Sequence, residues 1–167
     1  GEEAVDRYLN GTISDLYDGM LMKDMDKAID ILKEKILEDK KIRVIGDYDI
    51  DGVNATYILL EGLERLGADV DSDIPDRISD GYGLNRHLVE RAYEAGVDTL
   101  ITCDNGIAAA DEIAYGKEMG MTVIVTDHHE VPFDEQDGEK RYRIPPADAV
   151  MDPKQPDCLY PFKGLCG

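Results

Sequence analysis

The sequence predicts an α/β domain: a parallel β-sheet sandwiched by helices, with its functional residues at the carboxyl ends of the strands. Three observations carry this. Short, almost wholly apolar segments alternate with helix-length amphipathic ones, the pattern of βαβ units. Gly67, Gly96 and Gly120 stand where the helices should stop. Several apolar segments run directly into acidic or histidine residues, and in open parallel sheets ligands bind beyond the carboxyl ends of the strands.

The elements follow in order. Glu2 to Leu21 shows weak periodicity, broken at Asn10-Gly11, and residues 1–23 read as a lead-in helical region. Met25, Ala28, Ile29, Leu32 and Ile36 fall at helical spacing, with Asp24 placed to cap the helix. Strand-like Ile42 to Ile45 leads into Asp47-Tyr48-Asp49-Ile50-Asp51-Gly52. A helix carrying Leu59, Leu63 and Leu66 follows, then an extended segment from Val70 to Ile74. A helix with Leu88, Val89, Ala92 and Tyr93 precedes a strand from Asp98 to Thr102, which enters Cys103-Asp104-Asn105-Gly106. A helix from about Ala108 to Met119 precedes a strand from Thr122 to Thr126, which enters Asp127-His128-His129. The apolar strands imply a sheet covered on both faces. Asp134 to Arg143 is charged and reads as a solvated loop, and Asp148 to Met151 fits one further short strand.

Composition bounds the class. The 167 residues, 43% of them hydrophobic, suffice for a single domain with a real core. No apolar run approaches the roughly 20 residues that span a membrane, and no signal-peptide pattern opens the chain. Cys103, Cys158 and Cys166 are odd in number and show no Cys-x-x-Cys spacing, so a disulfide framework is not expected and a reducing cytoplasm is the default. Lys and Arg number 18 against 37 Asp and Glu, a net charge of −19. Such a chain does not attract a polyanion by its general field, because nucleic-acid affinity rests on basic side chains. An anionic substrate then needs bound cations or a basic partner domain. A start at Gly1 without methionine and a stop at Leu165-Cys166-Gly167 read as a fragment of a longer protein, truncated before the end of its catalytic core and lacking a second domain.

Three strand ends carry the candidate chemistry: Asp47, Asp49 and Asp51; Asp104; and Asp127, His128 and His129. So many ligand-type groups on one sheet edge repel one another unless something positive neutralises them. Alternate strand residues face the same way, so Asp47 and Asp49 can converge on one ion. A carboxylate majority with imidazole suits Mn²⁺ or Mg²⁺ better than a thiolate-type zinc site. Asp104, on the middle strand end, is the natural bridge between two ions, which could together activate water against a phosphoryl group. Each motif alone also has a plainer reading. Asp-x-Asp-x-Asp suits a solvated or calcium-type loop, His128-His129 a structural pair, and Asp104-Asn105-Gly106 a strand-to-helix turn. His87 lies in a predicted helix and reads as incidental.

With these residues in place, the chain resembles the DHH phosphoesterase superfamily, and within it the N-terminal catalytic domain of RecJ-type exonucleases specific for single-stranded DNA. The resemblance runs from about Met25 to Gly167. It includes Gly46 to Gly52, Ile74-Pro75-Asp76-Arg77, Gly81-Tyr82-Gly83-Leu84-Asn85, Asp104 to Ile107, Asp127-His128-His129, Asp152 to Cys158, Tyr160 to Lys163 and Leu165-Cys166-Gly167. It implies a Rossmann-like DHH domain, and a nuclease acting from the 5′ end of single-stranded DNA with two Mn²⁺ or Mg²⁺ ions, in DNA repair and recombination. By this likeness Asp47, Asp49, Asp104 and His128 are metal ligands, with Asp104 bridging. His129 meets the phosphate or leaving oxygen, Asp127 orients the site, and Asp51 acts as a ligand or behind one. Arg77 and Asn105 are the substrate contacts, Arg77 having a structural ion pair as its other reading, and Tyr82 packs against its loop. Two departures stand out. Other branches have histidine four residues before the first motif aspartate, where this chain has Arg43, and Ile50 replaces a smaller residue. A further family aspartate lies downstream of Leu-Cys-Gly, and the domains that grip DNA lie outside this chain. The same chemistry also fits a phosphodiesterase for short oligonucleotides or cyclic dinucleotides. An inactive DHH scaffold of a replication complex is the non-enzymatic alternative.

Overall fold

The computed structural model describes residues 1–76 and 81–167, with backbone alone for Glu3 and Ala4. Helix α1 (Glu2–Asn10) and two single turns of 3-10 helix (Ile13–Asp15, Gly19–Leu21) lead into α2 (Met25–Leu37). Then β1 (Ile42–Ile45), α3 (Ile50–Arg65), β2 (Val70–Asp73), α4 (Arg86–Glu94), β3 (Thr99–Cys103), α5 (Ala110–Glu118) and β4 (Thr122–Thr126) alternate. A hairpin of β5 (Phe133–Gln136) and β6 (Glu139–Tyr142) precedes β7 (Ala149–Met151).

Five strands form one sheet in the order β2-β1-β3-β4-β7, every pair parallel. Strand alternation divides the core in two. Ile45, Leu100, Val123 and Val125 face Leu88, Val89 and Ala92 of α4 and Ile113 of α5. Val44, Ile101, Cys103 and Ile124 face the other way, against Ala28 of α2 and Leu63 of α3. Each fully buried Leu, Ile or Val contributes about 1.5–3 kcal/mol relative to exposure. The central strand β3 is buried along its whole length, its two threonines included, as a strand covered on both faces must be.

The topology places the site. The chain leaves β1 toward β2 and then returns past it to β3. Connections of opposite direction open a crevice between the carboxyl ends of β1 and β3, the switch point where such sheets bind ligands.

The predicted elements are present, with shifts of a residue or two at their ends. Gly67, Gly96 and Gly120 take φ of 84°, 74° and 86° just beyond α3, α4 and α5, as helix stops require. Two expectations are corrected. Asp24 sits at the start of α2 but makes no capping bond. Its φ of 59° turns the carboxylate toward the sheet edge, where Oδ2 accepts the Val150 N–H at 3.0 Å. The charged stretch from Asp134 to Arg143 is a β-hairpin rather than a loop. Asp137 and Gly138, at φ of 56° and 80°, supply the two left-handed residues of a tight hairpin turn. All eight strand residues are exposed, so no apolar alternation advertised the strands. No described helix is long and apolar enough to cross a membrane, and all three cysteines are free thiols.

Candidate metal centre

The first ligands come from the turn between β1 and α3. Asp47 follows β1 and is fully buried. Neither of its carboxylate oxygens has a hydrogen-bond partner. Burial is the largest influence on it and raises its pKa; the N–H groups of Tyr48 and Asp49 lie near enough to offset this in part. Asp49 caps α3, its Oδ1 accepting the Gly52 N–H at 2.9 Å, and that bond holds its pKa below the usual value. One carboxylate is thus buried without partners, and its neighbour is held ionised.

Asp104 ends β3 at φ 60°, a left-handed conformation that costs a non-glycine residue about 1–2 kcal/mol. Its N–H donates to the Thr126 carbonyl at 3.1 Å, and its carbonyl accepts from the Tyr82 hydroxyl at 3.2 Å. The residue is 2% exposed. Oδ1 lies 2.8 Å from His128 Nε2, while Oδ2 has no partner. Burial, then the charges of Asp51 and Asp49, push Asp104 up to about 6, against the pull of His128.

Asp127 ends β4 and turns inward. Its Oδ2 accepts the Ile107 N–H at 2.8 Å; its Oδ1 accepts the His128 and His129 N–H groups at 2.7 and 3.2 Å. Oδ1 also lies 2.7 Å from His129 Nδ1. A carboxylate surrounded by N–H donors accepts here too, so Nδ1 carries the ring proton and Nε2 faces the site. Burial pulls the His129 pKa down, but Asp127 outweighs it and the net shift is upward. His128 and His129 therefore point to different tasks although they are adjacent.

Among the described residues, two groups of side chains could hold a metal ion: Asp47, Asp49 and Asp104; and Asp104, His128 and His129. Asp104 belongs to both. The buried, partnerless oxygens of Asp47 and Asp104 fit this reading, since such oxygens are costly unless a cation or donor satisfies them. Asp51 stands beside the groups, its Oδ2 3.8 Å from His128 Nε2.

Other expected site residues are placed differently. Asn105 is 2% exposed. Its amide nitrogen lies within hydrogen-bond range of the carbonyls of Ile45, Gly46 and Cys103, at 3.1, 3.0 and 2.9 Å. Through that nitrogen it braces the β1 and β3 ends against each other, while its Oδ1 is buried without a partner. Arg77 lies outside the described residues. Arg43 grips Asp71 on β2 through Nε and Nη2 at 2.6 and 2.7 Å. His87 is exposed.

Two residues were missed. Tyr82 bonds to the site instead of only packing in its loop. Asp152 follows β7, is fully buried, and has an unpartnered Oδ2. Burial, reinforced by Asp127, pushes it up to about 6. Its position directly after a predicted strand was the available signal.

A parallel α/β sheet with carboxylates and imidazoles converging at its switch point has the form of a metal-binding domain. The chain belongs to the DHH family, whose N-terminal domain it matches over residues 41–166. It is 43% identical over 165 residues to the single-stranded-DNA-specific exonuclease RecJ of Bacillus subtilis (strain 168), spanning 99% of this chain and 20% of that one. It is 36% identical over 160 residues to the enzyme of the same name from Haemophilus influenzae, spanning 95% of this chain and 26% of that one. This chain thus spans about a fifth to a quarter of the length of these relatives. A solved structure of exonuclease RecJ bound to manganese superposes with a TM-score of 0.70 at 37% identity, covering 83% of this chain and 33% of that one. RecJ from Thermus thermophilus in complex with Mn²⁺ gives 0.62 at 35% identity, covering 83% and 18%.

Proposed function

We propose that this chain is the metal-binding part of a two-metal phosphodiesterase that removes nucleotides from the 5′ end of single-stranded DNA, in DNA repair and recombination. The observation that carries the reading is Asp104, buried and shared between two ligand groups with one oxygen unpartnered. Asp47, Asp49, Asp104 and His128 would hold Mn²⁺ or Mg²⁺, Asp104 being common to both ligand groups. Bound there, the metals supply a water of lowered pKa and neutralise charge on the phosphoryl oxygens.

The other residues set up that chemistry. Asp127 holds the Nδ1 proton of His129, leaving Nε2 toward the site. The Asp127 charge favours the protonated ring, suited to a phosphate or leaving oxygen. Asp51, beside His128, tunes that ligand's surroundings. Arg77 remains a proposed phosphate contact. With a net charge of −19, the domain relies on basic surfaces elsewhere in the protein to hold the strand.

The test gives the full-length protein Mn²⁺ with either a long 5′-labelled single strand or a dinucleotide. Preferential release of 5′ nucleotides from the long strand supports the reading. Preference for the dinucleotide overturns it in favour of a small-substrate phosphodiesterase.

A further inference from the structure

Tyr82 reaches into the metal centre from the segment before α4. Its hydroxyl lies 3.1 Å from His129 Nε2 and 3.2 Å from the Asp104 carbonyl. Its ring meets the His129 ring edge-on, with centroids 5.9 Å apart, and the Tyr48 ring likewise at 6.4 Å. A continuous chain of contacts therefore runs from Asp127 through His129 and Tyr82 to the backbone of Asp104.

We propose that Tyr82 is a positioning residue of this site: its hydroxyl fixes the plane of the His129 imidazole and ties it to the left-handed turn that presents Asp104. With Nδ1 donating to Asp127, Nε2 and the Asp104 carbonyl are both acceptors, and the single hydrogen of the Tyr82 hydroxyl reaches either. The imidazole is thereby held at both nitrogens, by Asp127 on one side and Tyr82 on the other. The same oxygen supports a backbone conformation unfavourable for aspartate. Replacing the ring hydroxyl therefore disturbs geometry at two strand ends at once, although Tyr82 itself is 54% exposed.

The kinetic arm of the test rests on the proposed nuclease reading; the spectroscopic arm does not. In the full-length protein with saturating Mn²⁺, Tyr82→Phe should lower kcat on a single-stranded oligonucleotide about tenfold, the value of one well-placed hydrogen bond, and leave KM within about twofold. In the His129→Gln background the same change should cost less than about twofold, because Tyr82 acts through His129. In the metal-free protein, histidine nitrogen spectra should show the His129 Nε2 resonance moving in Tyr82→Phe more than Nδ1. Full activity in Tyr82→Phe with loss only in Tyr82→Leu, seen as a raised KM, overturns the proposal and makes the exposed ring a stacking surface. Additive losses with His129→Gln overturn it too, as does an unmoved Nε2 resonance. A wild-type protein that leaves single-stranded DNA intact refutes the nuclease reading, while the spectra still decide the Tyr82 contact.

Discussion

Asp104 Oδ1 and His128 Nε2 meet at 2.8 Å across the ends of β3 and β4, while the second oxygen of Asp104 stays buried without a partner. The contact joins residues 24 positions apart in the chain. It also makes Asp104 the one residue common to both ligand groups.

Loss of that carboxylate should therefore remove both groups at once. Asp104→Ala is expected to weaken Mn²⁺ binding on the order of 100-fold or more by calorimetry, since even residues behind the ligands cost 10–100-fold. It should cost more activity than Arg77→Ala. Equal losses would argue against a shared ligand.

The metal-free chain should lose stability as pH rises from about 4 to about 6. Asp104 and Asp152 titrate near 6 in the folded chain against a usual 3.8, so across this window the fold holds protons that the unfolded chain releases. His129, also raised, adds a loss of the same sign only above its ordinary 6.5, beyond this window. Carboxylates held low, such as Asp49 and Asp71, surrender their contribution only below 3.8, outside this window. Thermal unfolding in chelator near pH 4.5 and near pH 7 checks the sign. Mn²⁺ affinity should move oppositely, rising with pH as Asp104 deprotonates.

Asp127→Asn should be costly although Asp127 joins neither ligand group. The carboxylate accepts from three backbone N–H groups and one imidazole, and an amide offers only one accepting oxygen. At least one buried donor is left unpaired, a cost of about 1–3 kcal/mol in urea unfolding. His129 also loses its tautomer control, so kcat should fall while bound Mn²⁺ changes little.

Gly52→Ala should damage the metal centre from the first turn of α3. A Cβ there would lie 2.8 Å from the Asp47 carbonyl oxygen and 2.9 Å from its carbonyl carbon. Backbone cannot yield as a flexible side chain can, so a loss of about 1–3 kcal/mol is expected. Thermal unfolding together with Mn²⁺ titration measures it; an unperturbed affinity would show that Asp47 tolerates the shift.

Much of the fold was legible in order. Thr122 to Thr126 was read with its observed bounds because both its faces are covered and its central residues are apolar. The hairpin from Phe133 to Tyr142 was not legible, because strands exposed on both faces carry no alternation and only Asp137-Gly138 marked the turn. Asp24 takes the N-cap position as expected, but where its carboxylate bonds was not legible for a related reason. A cap is a local inference, whereas its partner Val150 lies 126 residues away.

The sequence by itself determined the α/β rhythm and the ligand-type residues at the strand ends, since burial pattern and residue chemistry are properties of each segment. Only the tertiary structure decided which of them meet. Strand order brought Asp47, Asp49 and Asp104 to one crevice and set Asp104 against His128. It braced Asn105 across the β1 and β3 ends, buried Asp152 beside Asp127, and swung Tyr82 onto His129. Hydrogen bonds and buried charge depend on distances of a few ångströms between residues far apart in the chain, and only the packed sheet sets those distances.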